Sequence, residues 1–224
     1  DPRDGFSAVI FQRLAESAIA AIQQRGRLPV LVGGTSLYVD SIIHRYTFLA
    51  PPPPELREKL NAMSLPEVLE LARSKGLDVS AVDIRNKRRV IRLIETDGAQ
   101  PGKEDLRPNT LILGIRTPRE TLAARIAQRV DNMVAAGLEL EVRQLAKKYG
   151  WDVEPMKGVG YKEWREYFEG SASLNEVKQR IIKNTLDLAK RQRTWFKRNY
   201  SIQWISTPVD IISTVEEVTT YLNK

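Results

Sequence analysis

Leu28-Pro29-Val30-Leu31-Val32-Gly33-Gly34-Thr35 is the stretch on which the fold reading turns. A short apolar run ending in two glycines predicts a buried strand at 28–32 that turns at once into a helix. Residues 37–43 have the apolar density of that helix. Upstream, Ser7 is a plausible N-cap for a helix to about residue 24, with Phe11, Leu14, Ala15, Ile19 and Ile22 on one stripe. Helix, strand, glycine turn and helix in this order predict part of an α/β layer with a parallel sheet.

Further along, Pro51-Pro52-Pro53-Pro54 breaks the pattern and marks a hinge. Residues 55–100 read as wholly helical, most clearly at 66–75 and 85–96. Residues 110–115 return to strand character. A helical stretch follows at 118–148, interrupted by Gly137, and 157–161 read as a turn opening another helix. Residues 201–205 predict a late strand and 215–222 a terminal helix. The expected layout is an α/β core in 1–50 and 106–224 interrupted by a helical insertion at 51–105, with no internal repeat.

The chain has 224 residues, 42% hydrophobic and 28% charged. Those proportions exclude a disordered tail or a fibrous repeat. No apolar run approaches the ~18–20 residues that cross a bilayer. With no cysteine and one histidine, His44, disulfides, thiol nucleophiles and multi-histidine metal clusters are excluded. His44 reads as a surface or packing residue.

The net charge of +7 is uneven. Arg85, Lys87, Arg88, Arg89 and Arg92 form one acid-free basic element. Lys178, Arg180, Lys183, Lys190, Arg191, Arg193, Lys197 and Arg198, against Asp187 alone, form a second. The rest of the chain is mildly acidic. Arg85, Arg88, Arg89 and Arg92 share one helical face, while Val90, Leu93 and Ile94 project from the other side toward a core. Such a face is either solvated, with acids such as Glu95 nearby, or set against phosphates, which the planar guanidinium fork suits. In the second element aromatics alternate with cations, but Ile181, Ile182, Thr185, Leu188 and Trp195 recur at near-helical spacing, a core pattern.

Motifs for phosphate and dinucleotide loops are weak. Gly98-Ala99-Gln100-Pro101-Gly102-Lys103-Glu104 is one spacer short of a phosphate loop and ends in the wrong residue. Gly158-Val159-Gly160 lacks a third glycine and a preceding strand. Gly33-Gly34-Thr35 is better placed, either as a ligand approach at a sheet edge or as a plain tight turn. Arg125 and Arg129 lie four apart on a helix otherwise built from core residues, a spacing that suits snorkelling or a phosphate pocket.

In order along the chain, these segments resemble bacterial tRNA dimethylallyltransferases. Pro29-Val30-Leu31-Val32-Gly33-Gly34-Thr35-Ser36-Leu37-Tyr38 is similar to that family's P-[IV]-L-V-G-G-T-x-L-Y stretch. Asn86 with Arg89, Arg92 and Glu95 resembles N-x-x-R-x-x-R-x-L-E. Arg125-Ile126, Arg129-Val130, Met133, Gly137-Leu138 and Glu141-Val142 resemble a third motif. Gly158 to Glu163 resembles G-[IV]-G-Y-[KR]-[EQ], and Ala189-Lys190-Arg191-Gln192 with Thr194-Trp195-Phe196 resembles A-K-R-Q-x-T-W-[FL].

The resemblance implies a nucleotide-binding, P-loop-kinase-like parallel-sheet core with an all-helical insertion. It implies transfer of a dimethylallyl group from dimethylallyl diphosphate, with Mg²⁺, to the N6 amine of the adenosine adjacent to the 3′ side of the anticodon. Carried over by position, Arg129 lines a channel and stabilises the leaving diphosphate, with Gly33, Gly34 and Arg125 in support. Thr35 contacts the flipped nucleotide. Arg57, Lys87, Arg88, Arg89, Val90, Ile91, Val159, Gly160, Tyr161, Lys162, Glu163 and Trp164 contact the anticodon stem-loop. The family's phosphate loop, general-base aspartate and metal ligands match positions upstream of Asp1, so these 224 residues are expected to supply tRNA contacts without turning over alone and to hold no metal ligand. A monomeric cytoplasmic enzyme is implied. The alternatives are a prenyltransferase acting on free adenine nucleotides and a non-catalytic tRNA-binding module.

Overall fold

The computed structural model describes residues 1–206 and 211–222. It is a helix-rich α/β structure that divides into two compact units, Asp1–Val39 with Pro108–Lys224, and Asp40–Arg107. The remaining positions of the expected 106–224 core segment lie outside the described residues.

In the first unit, α1 (Ala8–Gln24) starts where the sequence predicts it, Ser7 Oγ accepting from the Ile10 amide at 3.3 Å. The cut between the units falls inside α2 (Ser36–Ile43). Strand β1 (Ile112–Arg116) lies parallel to β2 (Ile202–Ser206), with Ile112 opposite Ile202 and Arg116 opposite Ser206. Gly114 is needed between them. A Cβ there would meet Ile202 Cγ2 at 2.7 Å and the Trp204 ring at 2.8 Å.

The predicted strand at 28–32 is not a strand. It is an extended run without a ladder, and Val30 and Val32 are 74% and 89% exposed rather than buried. Strands exist by pairing. Among the described residues β1 and β2 pair only with each other, so the apolar run has no neighbour.

The unit's core is helical. Helices α6 (Arg119–Ala135) and α7 (Leu138–Tyr149) are joined by Gly137 at φ 101°, a left-handed turn that favours glycine. The long helix α9 (Leu174–Phe196) packs along α6. Ile126, Val130, Val142, Met156, Trp164, Val177 and Ile181 meet as one buried cluster. A reciprocal cap starts α9: the Ser173 amide donates to Glu176 Oε2 at 2.7 Å, and the Glu176 amide donates back to Ser173 Oγ at 3.3 Å. The helix expected after residue 161 is only a 3₁₀ turn and one short helix, α8 (Arg165–Phe168). A terminal helix α10 (Ile211–Leu222) ends the described chain.

The second unit is formed by α3 (Pro54–Ala62), α4 (Leu65–Ser74) and α5 (Lys87–Glu95) around Leu60, Val68, Ala72, Val90, Ile91 and Ile94. The proline run lies inside this unit, at the start of α3, and not at its edge. Entering and leaving segments are zipped together upstream of it. The Glu104 amide donates to the His44 carbonyl at 2.9 Å, the Arg107 amide to the Ile43 carbonyl at 2.7 Å, and Thr47 bridges Gly102.

Candidate nucleic-acid interface

Helix α5 sorts its residues by period. Val90, Ile91, Leu93 and Ile94 are buried, so the side chains of Val90 and Ile91 belong to the core and not to an RNA-facing surface. Arg85, Arg88 and Arg89 are exposed. The face is only partly free of acids: Arg85 Nε lies 3.3 Å from Asp83 Oδ1. The Arg85 amide, and then that side-chain contact, hold the Asp83 carboxyl below the usual carboxylate range.

Glu95 has a fully buried side chain and is gripped in bidentate fashion by Arg57, with Arg92 Nη1 at 3.6 Å. Arg92 also donates to the Leu49 carbonyl at 3.5 Å. Arg57, expected as an RNA contact, therefore spends its guanidinium on an acid within its own unit. Lys87 likewise donates to the Asn61 carbonyl at 2.7 Å. Of the expected contacts on this unit, Arg88 and Arg89 have exposed side chains, and the charge of Arg89 adds to the lowering of Asp83.

The stretch from Val159 to Trp164 in the first unit is mostly structural. Gly160 sits at φ 98°, and its amide donates to Glu163 Oε2 at 2.8 Å. Asn184 Nδ2 on α9 donates to Glu163 Oε1 at 2.6 Å. Glu163 is buried and Trp164 is fully buried, its ring 5.5 Å from Tyr167 edge-on and stacked 5.8 Å from Phe168. Neither side chain can meet RNA, and Val159 packs on the same core. Tyr161 donates its hydroxyl to Glu141 Oε1 at 2.5 Å, and that bond, with burial, raises its pKa. Lys162 alone of the six points a charge into solvent. The Glu163–Asn184 latch was missed in sequence. Its signal was a carboxylate three residues after a glycine, the spacing of a helix cap.

Gly33, Gly34 and Thr35 form the loop into α2. Gly33 and Thr35 are exposed, and the Thr35 carbonyl accepts from the amides of Tyr38 and Val39 at 2.9 and 3.1 Å. Gly34 is half-buried beneath the Gln192 side chain. On α6, Arg125 and Arg129 are exposed on one face and line an open dent of about 420 Å³ with Gln128, Asn132, Met133 and Ala136. Gln128 Nε2 donates to Asn132 Oδ1 at 3.0 Å across that face.

Among the described residues no three histidine, cysteine or acidic side chains come together as metal ligands. No helix among them is long and apolar enough to cross a membrane.

A family profile described as IPP transferase matches residues 1–199. A tRNA dimethylallyltransferase from Anoxybacillus flavithermus is 37% identical over 223 residues, 95% of this chain and 72% of the relative. One from Bacillus subtilis is 34% identical, over 99% of this chain and 76% of the relative. Among solved structures, the full-length tRNA isopentenylpyrophosphate transferase from Bacillus halodurans superposes with a TM-score of 0.70 at 33% identity. It covers all of this chain and 75% of that one. The family match spans most of the chain and the relatives exceed 30% identity over nearly all of it, and the chain belongs to the IPP transferase family.

Proposed function

We propose that the chain binds the anticodon stem-loop of tRNA and serves transfer of a dimethylallyl group from dimethylallyl diphosphate to N6 of the adenosine adjacent to the 3′ side of the anticodon, as a monomer in the cytoplasm. The observation that carries this reading is the exposed Arg88–Arg89 pair on a helix whose opposite side is core. An exposed guanidinium pair suits phosphate oxygens, and the relatives named above are tRNA dimethylallyltransferases.

In the transfer, the adenine N6 forms a bond to the dimethylallyl carbon, the carbon–oxygen bond to diphosphate breaks, and the amine proton passes to a carboxylate base. Arg129 is the residue of this chain assigned to the leaving diphosphate, where a guanidinium offsets the developing charge. Its exposed side chain beside Arg125 supports the role. Thr35 is assigned to the flipped nucleotide, whose extrusion the chemistry requires. Mg²⁺, when bound with the diphosphate, would neutralise its charge.

The test compares affinities of the chain for a 17-nucleotide anticodon stem-loop and for AMP. Binding of the stem-loop at least about a hundredfold tighter than AMP, weakening steeply with salt, is expected. Equal affinities would instead support a free-nucleotide enzyme.

A further inference from the structure

The last turns of α9 carry Lys190-Arg191-Gln192-Arg193, and Gln192 differs from its neighbours. Lys190, Arg191 and Arg193 are exposed, whereas Gln192 is half-buried. It lies on the same helical stripe as Thr185, Leu188 and Trp195, so a polar amide interrupts an otherwise mainly apolar row. Leu188 and Trp195 remain 38% and 37% exposed on either side of it.

The carboxamide is laid against the glycine loop. A Cβ built on Gly34 would lie 2.7 Å from Gln192 Nε2, 2.9 Å from Cδ and 3.0 Å from Oε1. Near-equal distances to three amide atoms mean that the amide plane lies face-on to Gly34. Any side chain at position 34 would displace it. Among the described residues the amide makes no hydrogen bond, so its edge keeps its acceptor oxygen and two donors beside Gly34. A packed amide with a free edge is preorganised to bind something planar that offers a matching donor and acceptor.

Resting on the tRNA reading above, we propose that Gln192 is the residue that selects adenine as the acceptor base, its Oε1 accepting from an N6 hydrogen and its Nε2 donating to N7. A glutamine edge pairs with adenine in this bidentate way. One N6 hydrogen is then held by Gln192, and the second is left for the proton-accepting base. Inosine, with an oxygen in place of the amine, turns the first of these bonds into a clash of acceptors.

The experiment measures binding of the full chain to anticodon stem-loops bearing adenosine, inosine or an abasic site at the 3′-adjacent position. Wild type should prefer adenosine to inosine by about tenfold, the range of one good bidentate contact. Gln192→Leu should abolish that preference and leave the abasic affinity unchanged. Gly34→Ala, which displaces the amide without removing it, should also abolish the preference and guards against a folding defect in the first variant. Circular dichroism melting checks both. An unchanged preference in folded Gln192→Leu and Gly34→Ala would overturn this assignment alone. Failure of wild type to bind any stem-loop would overturn the tRNA reading, and this inference with it.

Discussion

Glu163 places its carboxyl group in the interior with both oxygens engaged, one by the Gly160 amide and one by Asn184. Removing the acceptor leaves a buried amide N–H without a partner, which costs about 1–3 kcal/mol. Glu163→Leu should therefore lower the urea unfolding free energy by about that much. Glu163→Gln should cost less, because the Asn184 amide can turn and offer its oxygen. At this scale the sequence was partly legible. Helical period alone separates Arg85, Arg88 and Arg89 from Val90, Leu93 and Ile94, and the structure keeps that separation. Reading residues 87–91 as one continuous RNA-contacting run overrode the period. The engagement of Arg57 with Glu95 was not legible, because the partners are 38 positions apart and only the packing of the helices joins them.

Elements were legible where local chemistry suffices. Ser7 caps α1, the glycine at 137 separates α6 from α7, and both strands of the sheet fall at the predicted places. The segment at 28–32 has the composition of a strand, but a strand is defined by its neighbour, which composition does not supply. Amide hydrogen exchange should separate the two cases: the amides of residues 30–32 should exchange rapidly, while those of Ile112–Arg116 paired with β2 are protected. Protection at 30–32 equal to β1 would contradict the fold described.

The cap of α9 gives a pH prediction. The Ser173 amide, and then the Ser173 hydroxyl, hold the Glu176 carboxyl below the ordinary glutamate value. A depressed carboxyl contributes stability above its unfolded pKa, about 4.3, and loses it as pH falls through the lower folded value. Thermal melts of wild type should thus fall more steeply below about pH 4.3 than those of Glu176→Gln, which at neutral pH starts from a lower melting temperature. Parallel pH profiles would show that the cap contributes nothing.

For the whole molecule, the division is into two units whose cut lies outside the Thr47–Gly102 bridge and upstream of the proline run. Prolines announce a break in helix and are silent about which side of it packs with what. The net charge of +7 resolves into the basic stretch 85–92, which runs into α5, in one unit and the stretch 178–198, which runs along and just past α9, in the other, on an otherwise acidic chain. That unevenness was fully legible, since charge needs no tertiary contact to be counted. The most direct measurement of the central claim is fluorescence anisotropy with a labelled anticodon stem-loop, titrated at several salt concentrations with wild type and Arg89→Glu. The account predicts that wild-type affinity falls steeply as salt rises, and that Arg89→Glu binds about tenfold more weakly at low salt with a shallower slope. Identical curves for the two proteins at every salt concentration would contradict it.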